Sequence, residues 1–368
     1  DYINTKVIPL EEEYISEIDR DGRWRQSPRQ MEILEGLKQG ARDQGLWNFF
    51  LTEGEHSRGL STVDYAFIAE ATGHSLLAAE AFNCSAPDTG NMEVLARYGT
   101  QAQKDRWLTP LLDGEIRSAY AMTEPDEASS DATNISMTAE LEGDQYRING
   151  EKTYISGAGD DRCKILICMV RTDPDAPRHQ QHSQILVPMD APGVENVRPM
   201  EVFRQDGAPH GHMHMKFTDV LVHKDNIIAG RGRGFEVAQG RLGPGRIHHV
   251  MRAIGMAEKA LKLMCERSVS RTAFGRPLAK LGGNYDRIAE ARIQIDMARL
   301  LTLQTAHVID TQGVERAHVW ISKIKATVPL IALKVIDDAI QMHGAAGLSQ
   351  DFPLAEMYMN ARTLRLAD

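Results

Sequence analysis

The residue pattern predicts an α+β multidomain protein with an N-terminal α-helical domain, a middle β domain and a C-terminal helical bundle. Three observations carry that reading. Helical periodicity fills residues 1–117, two-residue alternation broken by frequent turns fills 118–230, and long 3.6-residue patterns fill 231–368.

In the first region Leu34, Leu37, Lys38 and Ala41 share one helix face, and Ile68, Ala71, Thr72 and Ser75 share another. Ser61-Thr-Val-Asp64 and Thr100-Gln-Ala-Gln103 read as capping boxes, the second leading into Trp107-Leu108 and Leu111-Leu112. In the second region Ser136-Met-Thr-Ala-Glu-Leu alternates, Gly143-Asp144 turns, and Gln145-Tyr-Arg-Ile-Asn149 alternates again, a hairpin signature. Lys152 to Ser156, Ile165 to Val170, Gln184 to Pro188 and His212 to Phe217 add further strands. Short strands with many turns predict a small antiparallel barrel or sandwich. In the third region Gly255 to Ser268, Ala289 to Thr311 and Val314 to Met342 are helical without strand signals, which predicts an up-down bundle. Pro329 is expected to kink or interrupt the last of these.

Composition narrows the class. The chain has 368 residues, 42% hydrophobic and 25% charged, the balance of a soluble globular protein. A net charge of -9 leaves no global basic footprint for nucleic acid, although local arginines can still bind a phosphate. Four scattered cysteines with no C-x-x-C pair support neither a disulfide framework nor a zinc ribbon, and a reducing compartment is the simpler reading. The apolar stretch Ala326 to Ile336 holds Pro329 and Lys334, and no segment approaches the ~20 apolar residues that span a bilayer. The chain opens on Asp1 rather than Met, shows no signal-peptide pattern and stops at Asp368; both ends are expected to be trimmed.

The segment Ala119-Tyr-Ala-Met-Thr-Glu-Pro-Asp-Glu-Ala-Ser-Ser-Asp131 joins the helical region to the β region. Hydroxyls and backbone N–H groups on such a turn can bind phosphate or the polar edge of a heterocycle. Read without further context it is more simply an interdomain loop with local hydrogen bonds. The run resembles the acyl-CoA dehydrogenase pattern Tyr-x-x-Thr-Glu-Pro followed by Gly or Ser-Ser-Asp. Three further resemblances recur in that family's order. Asn149-Gly-Glu-Lys-Thr-Tyr-Ile-Ser156 is similar to its Asn-Gly-x-Lys-x-Trp-Ile-Thr/Ser strand, and Arg271-Thr-Ala-Phe-Gly275 to its Arg-x-x-Phe-Gly. Gln341-Met-His-Gly-Ala-Ala-Gly347 is similar to its Gln-x-x-Gly-Gly-x-Gly, with Asp351-Phe-Pro353 behind it.

The resemblance implies that the middle domain is an antiparallel β-barrel, that the C-terminal domain is a four-helix bundle, and that the cofactor is FAD. Tyr120, Met122 and Thr123 would line the flavin ring, and Ser129 or Ser130 would reach the pyrophosphate or the substrate edge. The loop is one residue longer than the common form, so the division between the two serines stays open. Tyr154 stands where an aromatic covers the flavin, with Ile155 beside it and Ser156 at its polar rim. Arg271, Phe274 and the Gln341, His343 and Gly344 turn would come from a neighbouring subunit and hold the adenylate half, which implies a homodimer or homotetramer.

The reaction implied is α,β-desaturation of an acyl-CoA, as in fatty acid β-oxidation, in a subgroup linked to long or branched chains. A carboxylate takes the α proton, a hydride leaves the β carbon, and an electron-transfer flavoprotein removes the electrons. Most of the family places the base as Glu in a Tyr-Glu-Gly-Thr stretch, which corresponds here to Arg365-Leu-Ala-Asp368 and makes Asp368 the candidate base. A minority places a Glu directly before an arginine of the bundle's first helix. Here that run is Leu242-Gly-Pro-Gly-Arg246, so Gly245 has no side chain for the task, while Arg246 would lie near the base and the thioester. Asp is one methylene shorter than Glu, and a misplacement of about 1 Å can cost ~100-fold. Outside the resemblance, Asp368 is a C-terminal loop residue. Family usage implies the cytoplasm in a bacterium, or the mitochondrial matrix or peroxisome in a eukaryote. The Asp base leaves open a flavin oxidase of small carbon acids such as nitroalkanes, and a catalytically silent FAD-binding scaffold is a further alternative.

Other features are weaker. His210-x-His212-x-His214 could put imidazoles on one strand face for a metal, but a polar strand face is the plainer reading and no metal is expected. Gly230-Arg-Gly-Arg-Gly234 reads as a loop entering a helix.

Overall fold

Helix starts follow the capping chemistry of the sequence. In the computed structural model, which describes residues 1–18 and 22–367, Ser27, Ser61 and Thr100 each accept a hydrogen bond from the backbone three residues on. The side chain there, of Gln30, Asp64 or Gln103, accepts one in turn from the cap's own N–H. The first helices are α1 (Ile8–Ser16), α2 (Pro28–Asp43), α3 (Thr62–Thr72), α4 (Ala78–Ala81), α5 (Asp88–Tyr98), α6 (Gln101–Gln103) and α7 (Thr109–Leu112). Strands follow: β1 (Arg117–Ala121), β2 (Thr138–Glu142), β3 (Gln145–Ser156), β4 (Cys163–Arg171), β5 (His182–Pro188), β6 (Val194–Pro199), β7 (His212–His223) and β8 (Ile227–Ile228). Then come α8 (Gly234–Ser270), the short strands β9 (Thr272–Ala273) and β10 (Arg276–Pro277), and α9 (Asn284–Gln312), α10 (Val314–His343) and α11 (Leu354–Leu364). The order helix, strand, helix is the one read from the sequence. Pro329 lies buried inside α10 and does not interrupt it. Among the described residues, no helix is long and apolar enough to cross a membrane.

By its contacts the chain divides into two compact units, one of residues 12–57 and 80–242, the other of residues 1–11, 58–79 and 243 onward. The first unit holds the sheet, ordered β6-β7-β3-β2-β4-β5-β8, with β1 also on β4. Most pairs are antiparallel, as the turn-rich pattern predicts. Two are not: β1 runs parallel to β4 with Tyr120 opposite Ile167, and Thr138 of β2 pairs in parallel with Arg171 of β4. Parallel neighbours need a long connection, and the β2–β3 hairpin supplies it between β1 and β4. Alternation sorts the faces. Met213, Met215 and Phe217 of β7 join a core with Ala119, Ala121, Ile148 and Ile155, while His212 and His214 lie on the other face.

In the second unit α3 approaches α8 backbone to backbone. A Cβ at Gly255 would sit 2.0 Å from the Glu70 carbonyl oxygen, and one at Gly73 would sit 2.2 Å from that of Arg252. The Asp310 carboxylate accepts from the N–H groups of Thr62 and Val63 at 2.8 and 3.0 Å, so α9 caps the start of α3. Arg299 of α9 ties Glu70 of α3 to Glu258 of α8. Gly255→Ala is therefore expected to lose about 1–3 kcal/mol by forcing the helices apart. A urea unfolding curve reads the loss, and an unmoved midpoint would contradict the close approach.

Candidate functional site

The Met122-to-Asp131 loop is held from beneath by one buried lysine. Lys152 of β3 is 0% exposed, and its ammonium donates to the carbonyls of Met122 and Met169 at 2.9 and 2.7 Å and pairs with Glu124 at 2.9 Å. The Glu124 carboxylate also accepts from the N–H and hydroxyl of Ser136, both at 2.7 Å, and from the Met137 N–H at 2.9 Å. Burial alone would raise that carboxyl, but Lys152 and these N–H donors hold it below its ordinary value. Burial pulls Lys152 down and Glu124 offsets part of that pull. Three acceptors around the ammonium keep it charged.

The loop above is shaped by its own groups. The Thr153 N–H donates to the Thr123 carbonyl at 2.8 Å, and Ser129 Oγ accepts from the Glu124 N–H at 2.9 Å. The Ser129 hydroxyl therefore serves the turn, while Ser130 and Thr123 present exposed side chains. Tyr120 packs its ring under the Arg241 guanidinium, 4.0 Å from the ring centroid, and its hydroxyl accepts from Gln184 Nε2 at 2.8 Å. Arg241 also donates to Asn91 Oδ1 at 3.2 Å. Burial pushes the nearby Glu93 carboxyl up to about 8, against the pull of Arg241.

The end of β3 turns one aromatic outward. Tyr154 has φ +55° and keeps 50% of its surface exposed, where the β3–β7 register shifts between Lys152 and Ile155. A β-branched or aromatic residue at positive φ is strained, and such strain is held where the surroundings over-determine it. Ile155 points the other way, into the core. Ser156 Oγ meets His212 Nδ1 at 2.8 Å. His214 instead pairs with Glu151 at 2.8 Å, and burial takes His210 down to about 4. Among the described residues no group of three His, Cys, Asp or Glu could hold a metal ion. The β unit thus gathers Tyr120, Met122, Thr123, Ser129, Ser130, Tyr154, Ile155 and Ser156.

The remaining candidates belong to the helical unit. Phe274 and Gly275 form the two-residue turn between β9 and β10, with φ +49° and +74°, and Phe274 is 94% exposed at its tip. Arg271 is exposed at the foot of this hairpin. At the end of α10 Gln341 is exposed, and Gly344 at φ +65° lets the chain leave the helix. His343 is buried, with Nδ1 2.8 Å from the Ala339 carbonyl and its ring 4.5 Å from that of Phe352. Gly245 and Arg246 lie in α8, both partly exposed. Asp368 lies outside the described residues.

Motif reading assigned no role to Lys152, Glu124, Arg241, Gln184 or His212. One signal for Lys152 was present: Tyr146, Ile148, Gly150 and Lys152 share the inward parity of β3, and a charge at an inward position demands a partner. Arg241 carries no comparable local signal.

Family models identify the same architecture. The acyl-CoA dehydrogenase N-terminal domain matches residues 10–115, the middle domain residues 119–220 and the C-terminal domain residues 232–368. The chain belongs to the acyl-CoA dehydrogenase family of oxidoreductases. It is 53% identical, along its whole length, to mouse "Acyl-CoA dehydrogenase family member 10". It is 52% identical over 91% of its length to the "Probable acyl-CoA dehydrogenase FadE2" of Mycobacterium tuberculosis, covering 82% of that protein. A solved structure of a candidate acyl-CoA dehydrogenase from Mycobacterium abscessus superposes with a TM-score of 0.96 at 51% identity, covering 100% of this chain and 91% of that one. The chain spans only 34% to 47% of the length of the vertebrate relatives it matches.

Proposed function

We propose that the chain is an FAD-dependent acyl-CoA dehydrogenase that converts an acyl-CoA thioester to the trans-2-enoyl-CoA. The observation that supports this most is the set built on Lys152 and Glu124: a half-exposed Tyr154, an exposed Thr123 whose carbonyl accepts from the Thr153 N–H, and Ser156 on the same strand. This set suits a flavin, which needs a flat apolar surface and hydrogen-bonding groups along one edge.

In this proposal Tyr120, Met122, Thr123, Tyr154, Ile155 and Ser156 hold the ring portion, and Ser129 or Ser130 reaches the pyrophosphate or substrate. Arg271, Phe274, Gln341, His343 and Gly344 of a second copy hold the adenylate portion, so the working protein is a homodimer or homotetramer. The three-part division at residues 117 and 230 belongs to the same proposal. Bound FAD supplies the hydride acceptor. Asp368 removes the α proton, as a positioned general base. Arg246 sits near the thioester, and Gly245 leaves that stretch of helix bare for the substrate. The electrons go on to an electron-transfer flavoprotein, and the setting is fatty acid β-oxidation in bacterial cytoplasm or in a eukaryotic matrix or peroxisome.

Product analysis tests the reaction. Incubation of the FAD-loaded protein with a saturated acyl-CoA and an artificial electron acceptor is expected to yield the trans-2-enoyl-CoA. Oxygen-linked consumption of a nitroalkane with no enoyl product would favour the oxidase reading, for which the Asp base is the one favouring observation.

The strained aromatic offers a separate test. Tyr154→Gly is expected to stabilise the apoprotein by about 0.5–1 kcal/mol, the relief of positive φ less glycine's own entropy. The same change should weaken FAD about 2- to 12-fold through the lost ring contact. Thermal melts and FAD fluorescence read the two effects. A variant that binds FAD as tightly as the parent would remove Tyr154 from the site.

A further inference from the structure

The Ser156–His212 pair is not explained by the loop scaffold. The two residues are register partners across β3 and β7, with Ser156 Oγ 2.8 Å from His212 Nδ1. The imidazole lies 6.4 Å from the Tyr154 ring, centroid to centroid, at 59°. Its neighbour Met213 is locked in the core on the opposite face, which fixes the backbone that carries His212. The other imidazoles of the strand have different surroundings: His214 faces Glu151, and His210 lies before β7 against Gly157.

Burial holds the His212 imidazole below its ordinary value, so it is neutral near neutral pH. A neutral imidazole has two tautomers. With the proton on Nδ1 it donates to Ser156 Oγ, and the hydroxyl proton of Ser156 is free to donate elsewhere. With the proton on Nε2, bare Nδ1 accepts the hydroxyl proton, and Oγ offers a lone pair instead. Serine beside an obligate donor or obligate acceptor could present only one of these.

We propose that His212 is a positioning residue that allows the Ser156 hydroxyl to act either as donor or as acceptor toward the polar rim of a bound flavin. The inference rests on the reading of Ser156 as a flavin-edge residue. It goes beyond that reading by naming a group that acts only through Ser156. The rim of such a ring changes between accepting and donating a hydrogen bond when its oxidation state changes. A two-way hydroxyl keeps a hydrogen bond to both forms, so loss of His212 should weaken the binding of oxidised and reduced flavin alike and leave their ratio little changed.

The test measures FAD affinity by fluorescence and the two-electron midpoint potential of bound FAD in the parent, His212→Phe, Ser156→Ala and the double variant. His212→Leu replaces the Phe variant if that does not fold. One hydrogen bond of about 1 kcal/mol lost in both oxidation states predicts a roughly fivefold fall in the affinity for each, with the potential moved by less than about 20 mV. Ser156→Ala should weaken FAD by a similar factor, and the double variant should weaken it no further than either. His212→Gln, whose amide can present either role by flipping, should return the affinity to within about twofold of the parent. If Ser156→Ala weakens FAD and His212→Phe or His212→Leu does not, or if the loss falls on one oxidation state alone, the positioning role is overturned while the flavin site stands. If the parent protein binds no FAD, the flavin reading itself fails and the inference falls with it.

Discussion

Lys152→Met is expected to lose about 3–5 kcal/mol of stability, because it leaves the Glu124 carboxylate buried without its counter-charge. The ammonium is 0% exposed and joins three segments: the loop through Met122, β4 through Met169, and Glu124, which itself anchors Ser136 and Met137. Removing it takes one donor from two carbonyls and the counter-charge from the carboxylate at once. The loop that carries Met122 and Thr123, just after Tyr120 of β1, should loosen, and FAD affinity should fall with it. Acid dependence supplies a second check. The folded-state pKa of Glu124 lies below its ordinary 4.5, so its stabilising contribution is full above that value and fades as pH falls through the depressed one. In Lys152→Met the carboxyl takes up its proton more readily, so the stability gap between parent and variant should narrow in acid. Adding Glu124→Gln to the variant should recover part of the loss near neutral pH. A loss below about 1 kcal/mol, unchanged in acid, would contradict the scaffold.

Asp368→Asn is expected to reduce turnover by about 10²- to 10⁴-fold while leaving FAD bound, the usual range for removing a general base. An amide of the same size cannot take the α proton. Steady-state rates with an artificial acceptor measure the loss, and the flavin absorbance of the purified variant confirms loading. Gly245 offers a complementary arm, since a Cβ there would meet nothing within 4 Å. Gly245→Glu in the Asp368→Asn background would place a carboxylate where a minority of the family carries one, and partial recovery is expected. A drop of less than tenfold in Asp368→Asn would move the base elsewhere.

Local chemistry was legible in the sequence where partners lie close along the chain. Ser61 with Asp64 and Thr100 with Gln103 close capping boxes over three residues, so the residues themselves announce the helix starts. The loop Gly230 to Gly234 reads as the entry to a helix, and α8 starts at Gly234, although its strongest periodic stretch begins only at Gly255. The apolar run Ile165 to Val170 could be read as a strand, but not that Tyr120 of β1 pairs with Ile167 in parallel, because a strand and its partner are separate properties.

The candidate site divides along the same line. Thr123, Tyr154 and Ser156 could be named from short motifs. The residues that hold them act over distance: Lys152 reaches Glu124 across 28 positions, and His212 reaches Ser156 across 56. Arg241 stacks on Tyr120 from a helix that no motif linked to the loop. Only the folded chain brings these pairs together.

The most direct measurement is an anaerobic titration of the FAD-loaded protein with saturated acyl-CoAs of graded length, followed by flavin absorbance. The account predicts bleaching by one length class and none in Asp368→Asn. Demonstrably bound FAD that no acyl-CoA bleaches would contradict it.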